Sequence, residues 1–181
     1  MRCLELNRFS IVGVSGGGPG ALACACKIPR RLVRVGVVAG AAPTDAPGVF
    51  TGTSGVNRFF MRLASRAPWL SRLNTRLRAS VIRRNPRRCI DTMQRKVHAV
   101  GRAVLARSGI RDMLVSDFAE TLREGRRGMS DDMAANHDRP WGLALDRIET
   151  QVRFWCCALD RSVPLAMGRY LGRAVPKSEF H

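Results

Sequence analysis

The chain has 181 residues, 45% of them hydrophobic, and carries a formal net charge of +17. That is material for one core of ordinary domain size with a small appended lobe, so the chain reads as globular. The apolar runs near the N-terminus are interrupted by Arg8 and by a Ser/Gly turn, and none approaches about 18 residues, which argues against a membrane span or a signal peptide and makes a cytoplasmic protein the expectation.

The first segment predicts strand, sharp turn, helix, strand: Phe9 to Val14, then Gly17 to Lys27, then Leu32 to Val38. Near-continuous aliphatic strands around a helix indicate a parallel α/β sheet covered on both faces. The turn is Gly13-Val14-Ser15-Gly16-Gly17. A serine there projects above the carboxyl edge of the sheet, with Gly13 and Gly17 expected to leave room for the strained backbone. The amide of Gly16, at a helix N-terminus, is suited to an oxyanion. G-x-S-x-G also arises by chance, and Gly16, Gly18 and Ala21 match the dinucleotide pattern G-x-G-x-x-A. That pattern wants an acid about 20 residues on to hold a ribose hydroxyl, where position 41 is alanine and Asp45 is the nearest acid. A triphosphate loop is excluded, because no lysine and Ser/Thr pair follows the glycines.

From Ala41 to about Asn57 the Gly, Pro, Thr and Ser content marks a loop leaving the core. The apolar period then changes. Leu70, Leu73, Leu77 and Val81 predict one helix, Ile90, Met93, Val97, Val100 and Val104 another, and Leu114, Phe118 and Leu122 a third that stops near Gly125. Pro68 and Pro86 suit first-turn positions. About four helices are expected in this block, which reads as an insertion, a cap or lid over 44–140 between core parts 1–43 and 141–181. After Pro140 the strand pattern returns over Val152 to Ala158, followed by a helix over Pro164 to Ala174 and the start of a strand at Glu179. A sheet of about four strands leaves apolar faces and an open edge, from which aggregation is expected unless a partner covers them.

The positive charge rests on 28 arginines against three lysines, and from Arg58 to Arg107 the sole acid is Asp91. Such a surface can attract nucleic acid, anionic lipid or an acidic substrate, while arginine-rich, Ala- and Gly-rich composition also follows from GC-rich coding. No aromatic ladder interleaves the arginines to read bases. The six cysteines, Cys3, Cys24, Cys26, Cys89, Cys156 and Cys157, form no C-x-x-C pair and have no histidine at ligand spacing, so no metal site is expected and buried thiols in a reducing compartment account for them.

Two blocks carry a resemblance to the α/β-hydrolase family, in particular its cap-bearing esterase and proline-iminopeptidase-like branch. One is Phe9-Ser-Ile-Val-Gly-Val-Ser-Gly-Gly-Gly-Pro19 with Ala21-Leu-Ala-Cys-Ala25; the other is Asp160-Arg-Ser-Val-Pro164, with Arg139-Pro-Trp-Gly142 at the return from the insertion. The resemblance implies a serine hydrolase acting on a small ester- or amide-type acyl substrate through an acyl-enzyme, without cofactor or metal. It implies Ser15 as nucleophile, Gly16 as one oxyanion amide, and Asp160 as the acid orienting a catalytic histidine. Read without the resemblance, Asp160 suits a helix cap or turn equally. The resemblance also implies a chain lacking both ends of the family's fold, with the catalytic histidine expected beyond His181 and Cys157-Ala158-Leu159 standing where the family often has His-Gly-Glu. The chain as written is then expected to be weakly active or inactive, since a serine hydroxyl without a base attacks esters slowly. The other readings are a non-catalytic protein that binds nucleic acid or anionic surfaces through its arginine-rich helices, and a dinucleotide-binding domain.

Overall fold

The computed structural model describes residues 6–123, 127–137 and 140–181. Strands β1 (Phe9–Val14), β2 (Leu32–Val38), β3 (Val152–Trp155) and β4 (Ser178–Phe180) form one sheet in that spatial order. All three pairings are parallel, with Val14 opposite Val38, Val38 opposite Trp155 and Phe154 opposite Phe180. Between β1 and β2 runs α1 (Gly18–Lys27), and between β3 and β4 runs α8 (Leu165–Ala174).

Each strand alternates, so Val35, Val37, Val152 and Phe154 point to one face and bury against Ala21, Leu22 and Ala25 of α1 and Met167 and Leu171 of α8. Both helices therefore lie on one face. Right-handed crossovers between strands laid down in steady progression always return on the same side. On the other face, among the described residues, Val12, Val14 and Trp155 are exposed, and Arg153 pairs with Glu179 at 2.7 Å. The expectation of helices on both faces is thus met on one. β3 is shorter than the apolar run Val152 to Ala158, because the chain turns at its end, with the Asp160 amide donating to the Cys157 carbonyl at 3.2 Å.

Between β2 and β3, the described residues form six helices rather than about four: α2 (Gly55–Arg66), α3 (Pro68–Arg84), α4 (Pro86–Lys96), α5 (Ala99–Leu105), α6 (Ser108–Thr121) and α7 (Arg127–His137). The expected helix through Ile90 and Val104 is broken at Val97 and His98, where the backbone is extended. Val97, His98, Val100 and Gly101 are all weak helix formers, which lowers the cost of a break there. Pro68 and Pro86 do open α3 and α4. The expected stop near Gly125 lies outside the described residues; α6 ends at Thr121.

This helical block has a small core of its own, with Ala79 and Ile82 of α3 against Leu122, flanked by Cys89, Phe118 and Met129. Asn85 caps α4 by accepting the Arg88 amide on Oδ1 at 2.9 Å. Asn85→Ala is expected to cost about 1 kcal/mol, read as an earlier melting transition by circular dichroism.

Candidate active site

β1 delivers Ser15 to the carboxyl edge of the sheet. Residues Ser15–Gly17 make a single tight turn of 3-10 type and α1 starts at Gly18, one residue later than the sequence pattern indicates. Ser15 is exposed and adopts φ of 52°, the left-handed region in which an L-residue is strained by about 1–2 kcal/mol.

The neighbours explain how the turn holds that shape. A Cβ on Gly13 would run into the Gly17 carbonyl oxygen and lie 2.7 Å from the Gly17 carbonyl carbon and 2.9 Å from Ala21 Cβ. Gly13 is therefore required for β1 to pass beneath the start of α1. The matching expectation for Gly17 does not hold: a Cβ there would meet nothing within 4 Å. The difference is geometric, since Gly17 already faces outward on the turn while Gly13 is buried beneath it. Gly18 takes the second close approach, where a Cβ would lie 3.0 Å from Gly40 Cα, two residues past the end of β2.

Two contacts fix the turn from outside. The Ala41 amide donates to the Ser15 carbonyl at 3.3 Å. Asn136 Nδ2, one residue before the end of α7, donates to the Gly16 carbonyl at 3.0 Å, and the Asn136 carbonyl accepts from Trp141 Nε1 at 3.1 Å. The helical block thus reaches back onto the elbow, a contact that sequence reasoning missed. The sequence marks the return near Pro140 but carries no local pattern that singles out Asn136. The Gly16 amide sits in the first turn of a helical start, where N–H groups have no acceptor within the helix and are suited to an oxyanion.

Asp160 lies five residues past the end of β3, at the same edge as Ser15. β2 separates the two strands, so their ends stand two strand spacings apart, about 10 Å. Asp160 Oδ1 accepts the amides of Ser162 at 2.7 Å and Val163 at 3.1 Å, which makes it the turn residue leading into α8. The second carboxylate oxygen takes no part in those bonds. Asp160→Ala is expected to cost about 1–2 kcal/mol, whereas Asp160→Asn, which keeps an acceptor at Oδ1, stays within about 0.5 kcal/mol. Thermal melts of the two variants check this.

The three histidines occupy three different settings. His98 is exposed at the start of α5, not inside a helix as its spacing indicates. His137 is buried at the end of α7, where its carbonyl accepts from Thr44 Oγ1 at 3.5 Å. His181 follows β4 and stacks on Trp155 with ring centroids 5.7 Å apart, on the open face of the sheet.

Of the cysteines, Cys24, Cys26, Cys89 and Cys156 are half-buried and Cys157 is exposed, so the expected full burial is corrected; Cys3 lies outside the described residues. Cys156 and Cys157 have run past the end of β3, out of the packed part of the strand. Partial burial pushes the Cys26, Cys89 and Cys156 thiols up from their ordinary range; Cys157 and Asp160 add to the effect at Cys156. That holds them in the less nucleophilic form at neutral pH. Among the described residues, no three His, Cys, Asp or Glu side chains are grouped to hold a metal ion, and no helix is long and apolar enough to cross a membrane.

No protein-family model matches the chain, and no curated protein matches it. Solved structures do. A bromoperoxidase from Bacillus anthracis superposes with a TM-score of 0.63 at 16% identity, over 98% of this chain and 59% of the other. An enol-lactonase from Burkholderia xenovorans gives 0.59 at 19% identity, over 97% and 57%. An alpha/beta hydrolase fold protein from Nakamurella multipartita gives 0.57 at 15% identity, over 96% and 60%. The chain has an α/β-hydrolase fold and spans about three fifths of the length of these proteins.

Proposed function

We propose that this α/β-hydrolase fold uses Ser15 as a nucleophile toward the acyl carbon of a small ester- or amide-type substrate, forming an acyl-enzyme. The observation that carries the reading is the positive φ of Ser15, held over a glycine that can be nothing else. Strain of this kind at a non-glycine residue persists only where the surroundings enforce it, and it aims the hydroxyl outward above the sheet edge. In the proposed reaction the Gly16 amide receives the oxyanion, Asp160 orients a general-base imidazole through its second oxygen, and the helical block 44–140 caps the site.

The 181-residue chain is proposed to be slow in this chemistry. His98 stands out on the helical block, His181 is stacked on Trp155 on the open sheet face, and His137 is buried at a helix end. On this proposal none of the three serves as the base for Ser15, and a serine hydroxyl without one is a weak nucleophile.

A fluorophosphonate probe, applied with and without imidazole in solution, tests both parts. The expected result is slow labelling confined to Ser15, accelerated by imidazole acting as the base. Fast labelling that imidazole does not change would mean a base is already in place. No labelling of Ser15 under either condition would remove it as the nucleophile.

A further inference from the structure

Helix α3 has two stripes of apolar and small residues, and the fold buries the one that the leucine spacing does not mark. Thr75, Ala79 and Ile82 are turned inward, and α7 packs against this helix. On the opposite side, Trp69, Leu73, Leu77 and Val81 are 70%, 49%, 58% and 63% exposed. These four recur at every fourth residue, so they line one slowly drifting stripe, about 18 Å long at 1.5 Å per residue. Leu73, Leu77 and Val81, whose spacing marks the helix in the sequence, therefore lie on its exposed side. Spacing alone cannot choose between two stripes, and small Thr75 and Ala79 allow the closer approach of a neighbouring helix.

The stripe lies in a strongly positive setting. By helical position Arg76 and Arg83 border one side, Arg78 borders the other, and Arg84 closes the C-terminal end; all four are exposed. The Arg78 guanidinium sits 5.7 Å from the Phe60 ring centre, which places it beside α2. Neither α2 nor α3 contains an acid, and Asp91, the sole acid from Arg58 to Arg107, is paired with Arg111.

We infer that α3 is a docking surface for an anionic lipid bilayer, lying in the plane of the interface. Such a surface uses both features at once: Trp69, Leu73, Leu77 and Val81 enter the boundary between headgroups and acyl chains, while the guanidinium groups sit among the phosphates. A second copy of the chain would set arginine borders against arginine borders. Nucleic acid would engage the arginines and leave the apolar stripe facing water. The inference is independent of the role of Ser15.

The test is co-sedimentation of the full chain with vesicles of mixed phosphatidylglycerol and phosphatidylcholine, against vesicles of phosphatidylcholine alone. Binding is expected to be about tenfold or more stronger to the anionic vesicles. The doubly substituted protein Leu73→Ser, Leu77→Ser should bind them about tenfold more weakly with an unchanged melting curve, since both side chains are exposed. A separate variant, Arg76→Glu with Arg83→Glu, should lose the preference for anionic lipid. Undiminished binding by the serine variant would overturn the inference, as would no binding to either vesicle. Tighter binding to a short DNA duplex than to the vesicles at the same salt would reassign the surface to nucleic acid. A concentration-dependent dimer abolished by the serine variant would reassign it to a second copy.

Discussion

Ser15→Gly is expected to raise stability and abolish fluorophosphonate labelling in the same protein. The wild-type residue holds φ at 52°, which costs an L-residue about 1–2 kcal/mol and glycine almost nothing. Glycine gives back about 0.5–1 kcal/mol through the extra freedom of the unfolded chain. The net gain is about 0.5–1 kcal/mol, a rise in Tm of roughly 2–3 °C for a chain of this size. Labelling falls to background because the hydroxyl is gone. Ser15→Ala separates the two effects, since it also loses the label but keeps the strain, and its Tm should match the wild type. A fall in Tm for Ser15→Gly would mean that the turn is not strained, and would remove the main support for a nucleophile there.

Gly13→Ala is expected to cost about 3 kcal/mol or more, a large part of the roughly 5–15 kcal/mol that holds a domain folded. The added methyl would overlap the Gly17 carbonyl and crowd Ala21, and two of its three nearest atoms are backbone that cannot rotate away. Relief requires α1 to lift from β1, which also displaces Ser15. Gly17→Ala is the control. Its added Cβ meets open space, so it should be neutral or stabilise by a few tenths of a kcal/mol. Urea unfolding measures both through the midpoint, with an unchanged m-value required for the comparison. Equal tolerance of the two substitutions would contradict the packing described for the elbow.

The elements nearest Ser15 are legible in the sequence because several physical signals coincide there. Phe9 to Val14 and Leu32 to Val38 are largely aliphatic runs with a glycine two residues past each end, and the structure ends both strands where those runs end. The helical block is legible as helical, and Pro68 and Pro86 locate two of its starts, but the number of helices and the side each one buries are not. In α3 the choice depends on how closely another helix can approach Thr75 and Ala79, which is a property of the assembled block. The same limit applies to the site. Ser15 and Gly13 announce themselves by local turn chemistry, whereas Asn136 reaches Gly16 across 120 residues of sequence and leaves no local trace. Asp160 is visible as a residue at a strand end, yet its turn bonds to Ser162 and Val163 and an orienting role at the carboxyl edge would look alike in sequence.

The pairing of β2 with β3 has a consequence for how the protein folds. Val35 and Val152 lie side by side although more than a hundred residues separate them in the chain. Closing so long a loop costs entropy before the sheet repays it, and folding slows as such long-range pairings come to dominate. The helical block shortens that distance if it collapses first around Ala79, Ile82 and Leu122. Its two stems are then tied where Thr44 meets the His137 carbonyl, and β3 needs to travel only a short way to find β2. Refolding should therefore show helix content appearing ahead of the sheet core. Substitutions inside the helical block should slow the later step without touching either strand.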